Sequence, residues 1–308
     1  MTLVVALAVG LTPRALEHMP RTRALADEGF QARLDPVLPA VTCSVQATFQ
    51  TGLEPSGHGI VANGWYFREL GEVFLWRQHN RLVGGQKIWE RAREVNPDYR
   101  SANVCWWYAM GMTTDFTVTP RPIYRADGRK DPDCYTYPPE LHDRLVSEFG
   151  DFPLFTYWGA NANITSSRWI AGAARKLLDE ERLDLLLCYL PHLDYDHQRY
   201  GPGAPESARA ACELDEVLGD LIEHARGRGD TVVVLSEYGI TDVSQPVDIN
   251  RRLRSEGLLN VYVQDGMEYL DPWTSRAFAV ADHQLAHVYV RDPSDIPRVR
   301  ELVEGLAG

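Results

Sequence analysis

The sequence predicts a doubly wound α/β domain, with a mostly parallel sheet and helices on both faces, and three observations support this. Runs of strand length, at 4–9, 184–190 and 231–236, alternate with amphipathic stretches of helical length. These runs are apolar almost throughout, as strands are when both faces of their sheet are covered. Polar clusters follow two of the runs directly, and α/β sheets bind ligands at the carboxyl ends of their strands.

Composition narrows the class of protein. The chain has 308 residues, 44% of them hydrophobic, which suffices for one large domain or for a domain with a smaller insert. A net charge of −12 disfavours a nucleic-acid polymer or an acidic membrane surface as partner. The five cysteines include no CxxC pair, which indicates reduced thiols in a cytoplasmic protein.

The amino-terminal residues 3–11 form a short apolar run that could be mistaken for a signal peptide. No Lys or Arg precedes it, no small-residue cleavage site follows, and it is too short to span a membrane. We therefore expect a buried first strand over 4–9, ended by Gly10 and Pro13. No other segment is long and apolar enough to cross a bilayer, so no membrane partner is expected.

The next elements lead to a turn at Pro39. A helix is predicted over 14–29, with Gly29 as its stop signal. A short strand over 31–36 would feed the turn. We then predict one or two helical turns over residues 47–51.

Two longer stretches have no clear periodicity. Residues 65–80 are aromatic and irregular, so these rings either line a pocket or pack a long loop. Residues 110–139 are rich in Thr, Pro, Gly and Asp, which predicts a long surface excursion.

The remaining pattern completes the fold and suggests its division. Further helices are predicted over 86–94, 165–180, 206–227 and 297–306, and further strands over 102–106 and 287–290. We expect a core over residues 1–245 and the start of a smaller α+β cap or insert over 246–308. Because the chain stops where a βαβ unit would add a strand, we expect a shortened or truncated form.

The most informative stretch begins at Thr42. A hydroxyl at the start of a helix faces free backbone N–H groups and the positive end of the helix dipole, a setting that suits phosphate. The alternative is a threonine N-cap without chemistry. Glycine at 52 is the expected C-cap of this helix, and Gly57 and Gly59 bend the chain around His58.

This stretch resembles the nucleotide pyrophosphatase/phosphodiesterase branch of the alkaline phosphatase superfamily. That branch has a nucleophilic Thr nine residues before a Thr-Gly pair, then Pro, His-Gly-Ile and an Asn or Asp. The chain has these residues at that spacing: Thr42, Thr51-Gly52, Pro55, His58-Gly59-Ile60 and Asn63. The resemblance implies an alkaline-phosphatase-like fold with Thr42 as the nucleophile.

Two polar clusters follow strands. Residues 190–202, expected as a strand-end loop, contain His192, Asp194, Asp196 and His197. Carboxylate and imidazole groups together can hold a divalent metal, although a solvated loop that caps the next helix would look the same. The second cluster, 236–240, contains Glu237.

Family members hold two metal ions beside the nucleophile, but this chain departs from their ligand set. At the corresponding positions it has Val9 for Asp, Gln198 for His, Glu237 for Asp and Tyr238 for His, while Asp194 is kept. Valine cannot ligate a metal, and Gln and neutral Tyr are weak ligands. We therefore expect at most one well-formed site for Zn²⁺, Mn²⁺ or Mg²⁺, or no metal at all.

The late family histidine has no clear equivalent. His283 or His287 is available to complete a site with Asp194, although His287 also fits a half-buried strand. We take Asp194, Glu237 and His283 as the candidate metal ligands.

The resemblance implies a hydrolase of phosphate esters or anhydrides. Thr42 would attack phosphorus, Gln46 and Asn63 would hold the developing oxyanion, and Tyr238 would contact the substrate. The alternative is a non-hydrolytic relative that binds a small phosphorylated or anionic ligand in the same pocket. The expected partner is a small phosphorylated molecule in either case, and the oligomeric state is open.

Overall fold

A computed structural model of the protein describes residues 1–35 and 37–306. Its strands are β1 (Leu3–Ala8), β2 (Gly64–Phe67), β3 (Glu72–Leu75), β4 (Ser101–Val104), β5 (Phe116–Pro120), β6 (Ile123–Tyr124), β7 (Lys130–Asp131), β8 (Cys134–Tyr137), β9 (Leu185–Leu190), β10 (Thr231–Leu235), β11 (Val261–Gln264), β12 (Met267–Leu270), β13 (Ala277–Asp282) and β14 (Leu285–Val290). Its α-helices are α1 (Pro20–Glu28), α2 (Thr42–Thr51), α3 (Pro55–His58), α4 (Ile88–Val95), α5 (Glu140–Phe149), α6 (Ile164–Glu180), α7 (His192–Tyr200), α8 (Pro205–Gly227), α9 (Ile249–Ser255) and α10 (Ile296–Glu304).

The main sheet has six strands in the order β10-β1-β9-β4-β5-β8. Neighbouring strands from β10 to β5 run parallel, and β8 runs antiparallel to β5 at one edge. All residues of β9 are buried, as expected for a central strand covered on both faces. The predicted mostly parallel α/β sheet is therefore confirmed.

Long helices cover this sheet and have recognisable ends. Helix α6 begins after Asn163, whose side chain accepts a hydrogen bond from the backbone N–H of Thr165. Helix α8 begins with Pro205. Proline is favourable at the first helical position because the N–H group that it lacks would have no partner within the helix. The two helices pack against each other, α6 against β9 and α8 against β10. Their buried leucines and alanines form one hydrophobic core with the strands.

The order of the strands determines where polar residues can meet. Strands β10, β1 and β9 are adjacent, with Leu7 paired with Leu235 and Ala8 with Leu190. Their carboxyl ends therefore lie side by side. The residues that follow these ends are Glu237, Val9 and the first turn of α7.

The chain divides into two compact units. The first comprises residues 1–60 and 78–242 and contains the main sheet. The second comprises residues 61–77 and 243–306 of the described chain, with the hairpins β2–β3, β11–β12 and β13–β14. It has a hydrophobic core of its own, which includes Leu253, Phe278 and Val299.

Two stretches predicted as irregular contain regular structure. Residues 65–80 include most of the antiparallel hairpin β2–β3. The predicted surface excursion over 110–139 supplies β5 and β8 to the main sheet, and every residue of β5 is buried. The Thr residues of β5 suggested a loop, but β-branched threonine packs well in strands, and Thr117 pairs its hydroxyl with that of Thr114 at 2.6 Å.

Two further local predictions were wrong. The predicted loop at 190–202 contains the helix α7, which begins directly after Pro191. The predicted strand over 31–36 is absent from residues 31–35, and residue 36 lies outside the described residues. The charged side chains of this segment suggested a loop. Charged residues spaced three or four positions apart, however, also fit one face of a helix.

Helix α2 begins at Thr42, five residues earlier than predicted, after Val41 in extended conformation. It ends at Gly52, whose φ of 69° is left-handed and confirms the predicted C-cap. A Cβ added to Gly52 would meet no atom within 4 Å, so only backbone strain opposes a side chain there.

We predict that Gly52→Ala lowers the free energy of unfolding by roughly 1–2 kcal/mol, the cost of a left-handed L-residue. Urea denaturation followed by circular dichroism measures the change. Gly227→Ala is the matched control, because its added Cβ is equally unobstructed but its φ is not left-handed. Equal effects in both variants would contradict the assignment of strain to Gly52.

Candidate active site

Thr42 is the first residue of α2 and is 5% exposed. The N–H groups of the first helical turn have no carbonyl partner within the helix, so they make this end an electropositive donor site. Burial raises the pKa of Glu237 and of Tyr238, and the Thr42 hydroxyl lies close enough to both side chains to offset this in part by hydrogen bonding. The nucleophile candidate therefore lies beside the residues that follow β10.

Gln46 lies one turn further along α2, on the same helical face as Thr42. Its Nε2 donates a hydrogen bond of 2.5 Å to Oε1 of Glu237. Its Oε1 accepts from the backbone N–H of Trp107 at 2.7 Å. Both ends of the Gln46 amide are thus engaged, and the residue holds Glu237 in place. Only the second hydrogen of Nε2 remains for an oxyanion.

Glu237 is a buried carboxyl with an incomplete set of partners. It is 3% exposed, and its Oε2 has no well-formed hydrogen bond among the described residues. Burial raises its pKa to about 8, and hydrogen bonding by Gln46 and Thr42 offsets this only in part. The carboxyl is therefore mostly protonated at neutral pH.

Asp194 lies in the first turn of α7 and is 7% exposed. Its Oδ1 accepts from the Tyr238 hydroxyl at 3.2 Å, and its Oδ2 accepts from the Gln198 amide at 2.7 Å. Burial and the charge of Asp194 raise the pKa of Tyr238 well above its ordinary value, so this hydroxyl stays a donor. Two neutral donors, at positions where the resemblance implies histidines, thus satisfy the carboxylate.

Val9 follows β1 and is fully buried, and its N–H donates to the carbonyl of Leu190. The next residue, Gly10, packs against α7: an added Cβ would lie 3.6 Å from Cα of Asp194 and 3.3 Å from Nδ1 of His197. The strand end where the resemblance implies a metal-binding Asp is therefore occupied by hydrocarbon.

Two other polar residues of the 190–202 segment, His192 and Asp196, do not converge with Asp194. His192 contacts Glu213 at 2.9 Å, and Asp196 pairs with Arg199 at 2.8 Å. Because these residues lie on a helix and not on a loop, His192 and Asp196, each two positions from Asp194, point to a different face from it. Sequence reasoning that treated them as one ligand cluster could have been corrected by helical periodicity.

The His-Gly-Ile part of the motif has a structural role. His58 is 1% exposed, and its Nδ1 accepts from the backbone N–H of Ile60 at 3.1 Å. The ring proton therefore lies on Nε2, which is 3.0 Å from the hydroxyl of Thr48 on α2. Burial lowers the pKa of His58, which keeps the ring neutral. These bonds connect α3 to the helix that carries Thr42.

Asn63 and His283 belong to the second unit, where both bind Asp282. The backbone N–H of Asn63 donates to Oδ2 at 2.7 Å, and His283 Nδ1 lies 2.7 Å from Oδ1. Burial alone would raise the pKa of Asp282, but these hydrogen bonds bring it below its ordinary value. Sequence reasoning missed Asp282, although it directly precedes His283. His287 is engaged elsewhere, with its Nε2 2.8 Å from the carbonyl of Val61.

We tested whether the side chains around Thr42 suit the metal pair that the resemblance implies. Carboxylate and hydroxyl oxygens, such as those of Asp194, Glu237 and Thr42, are ligands of the kind that a hard divalent cation prefers. Oε2 of Glu237, which has no well-formed hydrogen bond among the described residues, is the atom that such a cation would satisfy. Among the described residues, no third His, Cys, Asp or Glu joins Asp194 and Glu237 within 4.8 Å. A single cation bound beside Thr42 by Asp194 and Glu237, and the place of His283 in its ligand set, stay predictions.

Comparison with known proteins relates the whole chain to one family. The profile of a family described as type I phosphodiesterase/nucleotide pyrophosphatase matches residues 3–307. An uncharacterised pyrophosphatase/phosphodiesterase of Schizosaccharomyces pombe is 26% identical over 282 residues, which cover 84% of this chain. They cover 47% of that protein, so the chain spans about half the length of this curated relative.

Solved structures share the fold at low sequence identity. The phosphonoacetate hydrolase of Sinorhizobium meliloti 1021, in complex with phosphonoacetate, has a TM-score of 0.68 at 17% identity, with 100% of this chain and 74% of that chain covered. Murine ectonucleotide pyrophosphatase/phosphodiesterase 5 has a TM-score of 0.60 at 15% identity, with 98% and 69% covered. Among the described residues, no helix combines the length and apolar character needed to cross a bilayer.

We predict that Glu237 makes stability fall as pH rises. Its folded-state pKa of about 8 exceeds the ordinary 4.5, so its contribution is fully present below pH 4.5 and is lost as pH rises through 8. The slope is up to about 1.4 kcal/mol per pH unit. Urea unfolding of the wild type and Glu237→Gln between pH 4.5 and 8 should show the variant gaining relative stability with pH. A pH-independent difference would contradict a raised pKa.

We also predict that restoring the family ligands raises metal affinity. The variant combines Val9→Asp, Gln198→His, Glu237→Asp and Tyr238→His, which replaces hydrocarbon and neutral donors by ligating groups. Calorimetric titration with Zn²⁺ should show tighter binding than in the wild type. The same variant with valine kept at position 9 is the control, because it lacks the restored carboxylate. No gain over the wild type would show that another ligand or the backbone is limiting.

Proposed function

We propose that this chain, which belongs to the type I phosphodiesterase/nucleotide pyrophosphatase family, hydrolyses phosphate esters or anhydrides with Thr42 as the nucleophile. The observation that carries the proposal is the position of Thr42. Its hydroxyl lies at the amino end of α2 and beside a buried carboxyl, at the edge where three strands of the sheet end.

In the proposed reaction, Oγ1 of Thr42 bonds to phosphorus as the bond from phosphorus to the leaving oxygen breaks. Water then releases the phosphoryl group and restores the hydroxyl. The first-turn N–H groups of α2 would bind the phosphoryl oxygens, because they have no carbonyl partner within the helix and lie at its positive dipole end. The second hydrogen of Gln46 Nε2 would add to them, with Asn63 as a further predicted donor.

A threonine hydroxyl is a weak nucleophile at its ordinary pKa and needs activation. Asp194 and Glu237 would hold one divalent cation, with His283 as a predicted third ligand, and a cation bound there would polarise the Thr42 hydroxyl. To bind this cation, Glu237 would have to lose its proton. Asp194 would have to give up at least one of the hydrogen bonds that it accepts from Tyr238 and Gln198. We therefore propose a degenerate metal site and slow turnover of generic phosphodiesters.

One observation favours a second candidate, a non-hydrolytic protein that binds a small phosphorylated or anionic ligand. Both carboxylate oxygens of Asp194 already accept hydrogen bonds, from Tyr238 and Gln198. Such a carboxylate is stable without a cation, because its charge is compensated by donors. The amino end of α2 would then bind an anion without attacking it.

The expected setting of either function belongs to the same proposal. We propose a small phosphorylated molecule as substrate or ligand and the cytoplasm as location, because the five cysteines are free thiols. Phosphonoacetate, the ligand named with the Sinorhizobium structure, is a small phosphonate that can probe this pocket, and phosphate release is measured beside binding because that protein is named as its hydrolase.

We predict that Thr42→Ala abolishes hydrolysis while leaving the fold intact. Thr42→Ser is the matched variant, because it keeps the hydroxyl and should retain measurable turnover. Release of p-nitrophenol from a p-nitrophenyl phosphodiester is followed with added Mg²⁺, Mn²⁺ or Zn²⁺ and with a chelator. Circular dichroism establishes that each variant is folded.

The outcomes separate the candidates. Metal-stimulated turnover that requires the position 42 hydroxyl supports the hydrolase. Fast, Thr42-dependent turnover with the chelator present would contradict the degenerate metal site. Binding of phosphonoacetate by calorimetry, without turnover of phosphonoacetate or of any phosphomonoester, phosphodiester or nucleotide, would support the non-hydrolytic candidate instead.

A further inference from the structure

We propose a second metal site, for Zn²⁺ or a similar thiophilic cation, formed by Asp133, Cys134 and His142 in the first unit. A carboxylate oxygen, the sulfur and an imidazole nitrogen of these residues all lie within 4.8 Å of one another. Of the described residues, these form the one group of three or more such ligands at that separation. The proposal does not depend on the function assigned to Thr42, because the two ligand sets share no residue.

The fold brings the three residues together at the edge of the main sheet. Cys134 is the first residue of the edge strand β8 and pairs with Pro120 of β5. His142 lies in the first turn of α5, which follows β8 and packs against it. Asp133 directly precedes the strand. Its Oδ1 accepts from the backbone N–H of Cys134 at 2.7 Å, which turns the carboxylate toward the strand.

The imidazole of His142 is held in the orientation that metal-binding histidines usually have. Its Nδ1 lies 3.2 Å from Oδ1 of Asp143, and its Nε2 lies 2.7 Å from Oδ1 of Asp133. A carboxylate on one ring nitrogen fixes the ring and leaves the other nitrogen to face the cation. Metal binding at Nε2 would replace its contact with Asp133 and leave the Asp143 contact intact.

An ion pair between Asp133 and His142 would account for the closeness of these two side chains. It would not account for the sulfur of Cys134 beside them. Cys134 is 5% exposed, and its thiol makes no hydrogen bond among the described residues. This buried sulfur lies within 4.8 Å of a carboxylate oxygen of Asp133 and an imidazole nitrogen of His142, so a divalent cation bound among them would have all three within reach.

The mixture of donors determines the class of metal. Thiolate and imidazole ligands favour Zn²⁺, whereas sites made of oxygen alone suit Mg²⁺, Mn²⁺ or Ca²⁺. The set beside Thr42 offers carboxylates and hydroxyls, and the set at β8 adds sulfur and nitrogen. The two sites should therefore differ in metal preference and in spectrum.

The test is a Co²⁺ titration of the chelator-treated full chain followed by absorbance. Co²⁺ replaces Zn²⁺ in tetrahedral sites, and a thiolate ligand gives it a sulfur-to-metal charge-transfer band in the near ultraviolet. We expect this band in the wild type and its loss on addition of Zn²⁺. Cys134→Ser should abolish it. Cys212→Ser, which changes an exposed thiol, is the matched control and should keep it.

A second variant distinguishes loss of the metal site from loss of the fold. His142→Gln keeps the thiol and should weaken Co²⁺ binding by at least about ten-fold, with circular dichroism confirming the fold. No band in the wild type at saturating Co²⁺ would overturn the proposal, as would a band that persists in Cys134→Ser. Thr42→Ala should leave the band unchanged, so failure of this site and failure of the proposed hydrolase are distinguishable.

Discussion

The parallel pairing of β1 with β9 on one side and β10 on the other is the constraint on which the first unit depends. These strands bury apolar side chains on both faces, so helices must cover them. Parallel strands also end at one edge, which brings the segments after β10, β1 and β9 together there. Asp194, Glu237 and the hydrocarbon of Val9 are therefore neighbours, although they are far apart in the chain.

Burial at this edge makes each polar contact important. A carboxylate taken out of water needs a cation or hydrogen-bond donors, and burying a charge without either is costly. In this member of the type I phosphodiesterase/nucleotide pyrophosphatase family, neutral side chains provide much of that compensation. Tyr238 and Gln198 donate to Asp194, and Gln46 donates to Glu237. Burial raises the pKa of Glu237, and its less complete set of donors offsets this only in part.

The two candidate sites of the first unit use the same sheet in different ways. At the carboxyl ends of its central strands, the site beside Thr42 collects oxygen donors from α2, α7 and the segment after β10. At the sheet edge, the antiparallel strand β8 and the helix that follows it place a thiol, a carboxylate and an imidazole within 4.8 Å. A central crevice suits a substrate, whereas a local cluster of consecutive elements suits a small cation.

The sequence by itself determined the fold class, because apolar runs and helical periodicity depend only on local order along the chain. The stretch from Thr42 to Asn63 also indicated the family. Tertiary structure alone decided that the Thr-containing β5 belongs in the sheet and that Gln198 and Tyr238 share one carboxylate. Side-chain direction and hydrogen-bond partners depend on neighbours distant in sequence, and burial, which raises the pKa of Glu237, exists only once the strands are packed.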